Sequence, residues 1–131
     1  MAHGTIAFDT LQTSGQIDGT ARSIDTDYLL NGSAKCWINY DATASSDYTR
    51  DSFNVASTTD HAVGQHDITF SNVMANVNHA GVTNGHRDDN QAISIIHYGQ
   101  SNLFRFKLNA HTSITNSDSD ATFGAIFGEL A

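Results

Sequence analysis

The sequence predicts an all-β fold: a compact knob of short antiparallel strands carrying an extended N-terminal arm. Three observations lead there. From residue 34 to the last residue the chain runs as short segments that alternate apolar and polar side chains at period two. The segments contain no proline and are separated by stretches rich in Ser, Thr, Asn, Asp and Gly. Only 39% of the 131 residues are apolar and 15% are charged, a balance that suits thin β-layers with a modest core. A core of that kind leaves part of the stability to association with further copies.

Residues 1–33 differ from the rest. Their apolar side chains stand far apart (Ile6, Phe8, Leu11, Ile17, Ile24, then Leu29 and Leu30) and do not follow helical spacing. Such a segment cannot build its own core, so it reads as an extended arm that adds strands to another surface or threads along it. Ile6, Phe8, Leu11, Ile17 and Ile24 are its candidate attachment residues.

The knob spans residues 34–131. In AKCWINYD (34–41), Cys36, Ile38 and Tyr40 share the core face, while Lys35, Trp37 and Asn39 face away. Trp37 is the only tryptophan, and a large aromatic on a polar face marks a covered surface, read here as a subunit interface. After the polar loop 42–50, DSFNVAS (51–57) is expected to turn Phe53 and Val55 inward. A hairpin connection over 58–65, with Gly64, leads to QHDITFSN (65–72), which buries Ile68 and Phe70. Residues 72–90 are weakly periodic, with Met74, Val77 and Val82, and end in the turn signal NGHRDDN (84–90). QAISIIHY (91–98) is apolar on both faces, Ile93 and Ile95 against Ile96 and Tyr98, and is expected to be a central, doubly covered strand. LFRFKLNA (103–110) alternates cleanly, with Phe104, Phe106 and Leu108 inward and Arg105 and Lys107 outward. The polar connection 111–120 precedes ATFGAIFGEL (121–130), which sets Phe123 and Phe127 on one face and Gly124 and Gly128 on the other. The glycine side admits close approach of a second backbone, as around a three-fold axis, or else marks a bulge. Trp37, Gly124 and Gly128 are therefore the candidate trimer interface.

Charge excludes several functions. The net charge is −8, and the six basic residues, Arg22, Lys35, Arg50, Arg87, Arg105 and Lys107, are scattered, which argues against nucleic acid and anionic membranes as partners. The opening MAHGTIAFDT lacks the basic start and apolar run of a signal peptide, and no window reaches transmembrane length. Cys36 is the only cysteine, so neither an intrachain disulfide nor a Cys-based zinc site is expected. The seven histidines lack zinc spacing; His61 and His66 lie five apart, His79 and His86 seven, and His97 is the best placed to gather around a three-fold axis. DSD (118–120) lacks the remainder of a calcium loop. No nucleophile elbow is present, and Asp88 and Asp89 are adjacent in a turn rather than split between two environments. No enzyme, cofactor or metal is expected. His86, Arg87, Asp88, Asp89 and Asn90 instead group donors, acceptors and both charges in one exposed candidate contact loop.

Three segments in order, 35–40 (KCWINY), 51–57 (DSFNVAS) with Asp60 and 67–70 (DITF), and 123–130 (FGAIFGEL), resemble the β-knob module at the C-termini of bacteriophage tail fibres and related virion proteins. The resemblance covers residues 34–131. It implies an antiparallel β-sandwich knob, jelly-roll-like and homotrimeric, in a non-enzymatic protein of the virion made in the host cytoplasm: a fibre-tip-like knob docked on the particle through its arm, contacting the host surface or completing a tail appendage. Its partners would be other virion proteins and a host surface glycan, bound weakly per copy and tightly through avidity. Cys36 departs from the small apolar residue usual in the module, and the 84–90 loop is this chain's own. Only residues 1–33 precede the knob, so the expected forms are a short tip seated on another fibre or baseplate component, and a capsid decoration or head-fibre protein that stabilises the shell. A glycan-processing enzyme is the reading from another class.

Overall fold

The structure, a computed structural model, describes residues 9–12, 22–43, 48–86, 92–110 and 115–131, with side chains except at 86, 92–98 and 110. Within it the chain divides into two units, Met1–Ser33 and Ala34–Ala131.

In the first unit, strand β1 (Thr10–Gln12) pairs antiparallel with β2 (Ser23–Asp25), setting Leu11 opposite Ile24. A short helix, α1 (Thr26–Gly32), follows at once. Asp25 caps it, its carboxylate accepting from the Asp27 N–H at 2.9 Å, while the Thr26 N–H and hydroxyl both donate to the Asp9 carbonyl. The expected extended conformation is corrected here: Asp25-Thr26-Asp27 is a helix start, and it precedes the leucine pair. None of the described residues of this unit is buried. Ile6, Phe8 and Ile17 lie outside the described residues.

The second unit holds two four-stranded antiparallel sheets. Strands β3 (Cys36–Tyr40), β4 (Thr49–Phe53), β7 (Ala80–His86) and β10 (Ala121–Phe127) form one, in the order β4-β3-β10-β7. Strands β5 (Val55–Ala62), β6 (Gln65–Phe70), β8 (Ala92–Gly99) and β9 (Leu103–Ala110) form the other, in the order β5-β6-β9-β8. Period two decides the core. Cys36, Ile38, Tyr40 and Ile126 from the first sheet join Ile68, Phe70, Phe104, Phe106 and Leu108 from the second in one buried cluster, with Ala42 and Met74. Each large member contributes about 1.5–3 kcal/mol by leaving water. Phe104 and Phe106 stack edge to face at 4.9 Å.

Four expectations are corrected. Residues 51–57 are not one strand: the chain breaks at Asn54, which takes φ of 59° and passes from the first sheet to the second. Its side chain fixes that corner, the amide NH2 donating to the carbonyls of Lys35 (3.0 Å) and Asn72 (2.9 Å) and the amide oxygen accepting from the Asn72 N–H (2.6 Å). Phe53, expected inside, consequently points out and is 51% exposed, whereas Val55 packs on the core. The turn expected over 84–90 begins inside β7, where Asn84 pairs with Phe123 and Gly85 is buried. AGVTNGH has weak β-propensity and becomes a strand because β10 supplies a full partner along Ala80–His86. Strand β8, expected to be central, closes the edge of its sheet beside β9 and runs close to β7, the edge of the other. Three hairpins (β3–β4, β5–β6 and β8–β9) keep both strands in one sheet, so the order is not that of a jelly roll. Along β10, Thr122, Gly124 and Ile126 face inward and Phe123 outward.

Candidate interaction face

The outward face of the first sheet is built by register. Trp37 pairs with Phe53 on one side and Ala125 on the other, and Ala125 pairs with Val82, so Phe53, Trp37, Ala125 and Val82 form one row across four strands. The adjacent row runs Asp51, Asn39, Phe123, Asn84 by the same pairings. Trp37 is 38% exposed and Phe123 46%, and Val82 is also exposed. Because Ala125 is small and stands between Trp37 and Val82, the rows enclose a groove of about 490 Å³ walled by Trp37, Val82 and Phe123. Among the described residues of its lining, Asp51 is the single ionisable side chain. The Asn39 amide oxygen is buried there without a hydrogen-bond partner among the described residues.

Trp37 thus lies on the outer face as its alternation requires. The two glycines do not. A methyl group at Gly124 would lie 2.5 and 2.6 Å from two ring carbons of Phe106, and one at Gly128 would lie 2.9 Å from Cβ of His79. Close approach on the glycine side is real, but this chain's own side chains make it, which corrects the reading of Gly124 and Gly128 as faces for another copy. Phe53, Val82 and Phe123, not singled out for this role, stand on the surface with Trp37. Register across the sheet gathers them, and register is not readable from one strand at a time.

Of the contact loop expected at 86–90, Arg87, Asp88, Asp89 and Asn90 lie outside the described residues, as do the side chains of His86 and, on β8, His97.

A second cluster of polar groups is inside. His66 is fully buried; its Nδ1 lies 2.8 Å from the Tyr40 hydroxyl and its Nε2 3.3 Å from the Asp118 carboxylate, which also accepts from the Gly64 N–H at 2.7 Å. Burial raises the Tyr40 hydroxyl above its ordinary range and pushes the Cys36 thiol up to about 12. With His66 sealed from solvent and Asp118 partly exposed, this cluster ties β3, β6 and the segment before β10 together. On the outer side of the second sheet Arg105 grips Asp67 with two hydrogen bonds, one of them 2.8 Å, and this holds the Asp67 carboxyl below its ordinary range. Among the described residues no three His, Cys, Asp or Glu side chains gather as a metal site, and no helix is long and apolar enough to cross a membrane.

Comparison with protein-family models, with curated proteins and with solved structures finds no match to the chain.

Proposed function

We propose that the chain is a non-enzymatic structural protein of a bacteriophage virion. It is a homotrimeric β-sandwich knob, docked on the particle through residues 1–33, that contacts the host surface or completes a tail appendage. The observation that carries the contact role is the outward row of Phe53, Trp37 and Val82 with Phe123 beside it, an apolar surface of the kind that a partner covers. Two of the four edge strands are guarded in contrast. Strand β5 carries two register shifts with Asp60 and His61, and β4 is five residues long with Arg50 and Asp51, devices that discourage strand addition. The exposed Leu11, Ile24, Tyr28, Leu29 and Leu30 of the first unit leave it needing a surface of its own to rest on. The order of the knob-like segments in the sequence supports the assignment to a virion.

The test is placement. An antibody to residues 34–131, applied to intact particles, labels a tail appendage in the electron microscope at a few sites per particle. Label distributed over the capsid lattice transfers the role to shell decoration, and unlabelled particles refute the virion assignment.

A further inference from the structure

We propose that Phe53 of one copy enters the groove between Trp37 and Val82 of the next, so that copies join head to tail into a closed ring. This rests on the trimeric reading above and specifies its contact.

Knob and hole are both present on one face. Phe53 is the most exposed aromatic described in the 34–131 unit, at 51%, and it stands on β4, the edge strand of the sheet. The hole is floored by Ala125 and walled by Trp37, Val82 and Phe123, with room for a phenyl ring. Phe53 cannot fill the hole of its own chain, because Trp37 stands between them in the row.

The row also fixes the geometry. Phe53, Trp37, Ala125 and Val82 are register partners, so knob and hole lie at one level along the strands, about 10 Å apart at two strand spacings. A rotation axis parallel to the strands carries the knob of one copy to the level of its neighbour's hole without a rise. A contact of unlike patches without a rise closes into a ring instead of climbing into a filament.

Charge permits the partner to be the same chain. With 14 acidic and 6 basic residues, two arbitrary surfaces of this protein repel each other, yet among its described lining residues the groove has Asp51 as its one charge. An aromatic side chain seated in a desolvated pocket at such a contact is the usual strong point of an interface.

Sedimentation equilibrium of the full chain tests this with two variants. The wild type sediments as a trimer. Phe53→Ala removes the knob and Ala125→Trp fills the hole, and each weakens association at least about thirtyfold, the loss typical of an interface anchor. Mixing the two variants leaves one good knob facing one good hole, and the mixture forms a one-to-one pair that goes no further. Folding is checked by the Cys36 thiol, which stays unreactive in a folded variant; if Ala125→Trp exposes it, Phe53→Ala decides alone, since Phe53 contributes nothing to the buried core. A wild-type trimer that persists unchanged in Phe53→Ala overturns this contact and leaves the trimeric reading standing. A monomeric wild type overturns the trimeric reading itself.

Discussion

A single methyl group at position 124 probes how tightly the two sheets meet. Gly124 faces the core, and a Cβ there falls 2.5 Å from Cζ of Phe106. Carbon atoms rest at about 3.5–4.0 Å, so the ring must withdraw by about 1 Å. It has nowhere to go. Phe106 is fully buried and lies edge-on to Phe104 at 4.9 Å, itself fully buried and stacked on Phe70 at 5.6 Å. Overpacking a filled core costs about 1–3 kcal/mol, and contact with a ring so confined belongs at the upper end, about 2–3 kcal/mol. Urea unfolding at fixed protomer concentration measures it: with a slope of about 1–3 kcal/mol/M, the midpoint of Gly124→Ala falls by about 1 M. A second variant isolates the cause. In Gly124→Ala combined with Phe106→Leu the smaller side chain relieves the clash, so the two costs fail to add by about 1 kcal/mol or more. Gly124→Ala within about 0.5 kcal/mol of wild type, or strict additivity in the pair, would refute the packing argument.

Three further outcomes are expected. Asn54→Ala loses both the left-handed backbone tolerance and the side-chain bonds to Lys35 and Asn72, lowering stability by about 2–3 kcal/mol, while Asn54→Gly restores only the backbone part; thermal unfolding ranks them wild type, glycine, alanine. Asp67 titrates below its ordinary value because Arg105 holds the carboxylate, so its contribution is complete above the unfolded pKa of about 3.9 and is lost as pH falls through the folded value. Chemical unfolding followed with pH therefore shows the gap between wild type and Asp67→Asn constant near neutrality and closing under acid; a gap that widens under acid reverses the sign and sinks the assignment. Cys36, buried with its thiol raised to about 12, resists an aromatic disulfide reagent in the native protein and reacts at the rate of unfolding; immediate labelling would contradict its burial.

Much of the second unit was legible from alternation alone. Cys36, Ile38, Tyr40, Ile68, Phe70, Phe104, Phe106 and Leu108 are buried where period two places them, and Gly64 turns the hairpin between β5 and β6 with φ of 67°. The misreadings share a cause. Phe53 was assigned inward because residues 51–57 look continuous; only the left-handed Asn54 reveals that its two halves serve different sheets. On β10 the glycine-bearing face is the inward one, because Phe106 needs the space that Gly124 leaves. Strand β7 escaped notice since its reason to be extended lies in β10, some forty residues onward. Of the candidate contact residues, Trp37 was visible as a lone tryptophan out of phase with its core. Its neighbours in the row were not, because they come from three other strands brought together only by register.

The pairing of β3 with β10 has a consequence for how the protein is made. Ile38 is matched to Gly124, 86 positions later (124 − 38 = 86), and β3 has only β4 for company until then. A nascent chain therefore leaves the ribosome with one flank of β3 open, a template for a stray strand from any neighbouring polypeptide. Closure waits on the slowest kind of contact, the most distant in sequence. Chains cut short before residue 121 keep that flank permanently, and they should accumulate in inclusion bodies.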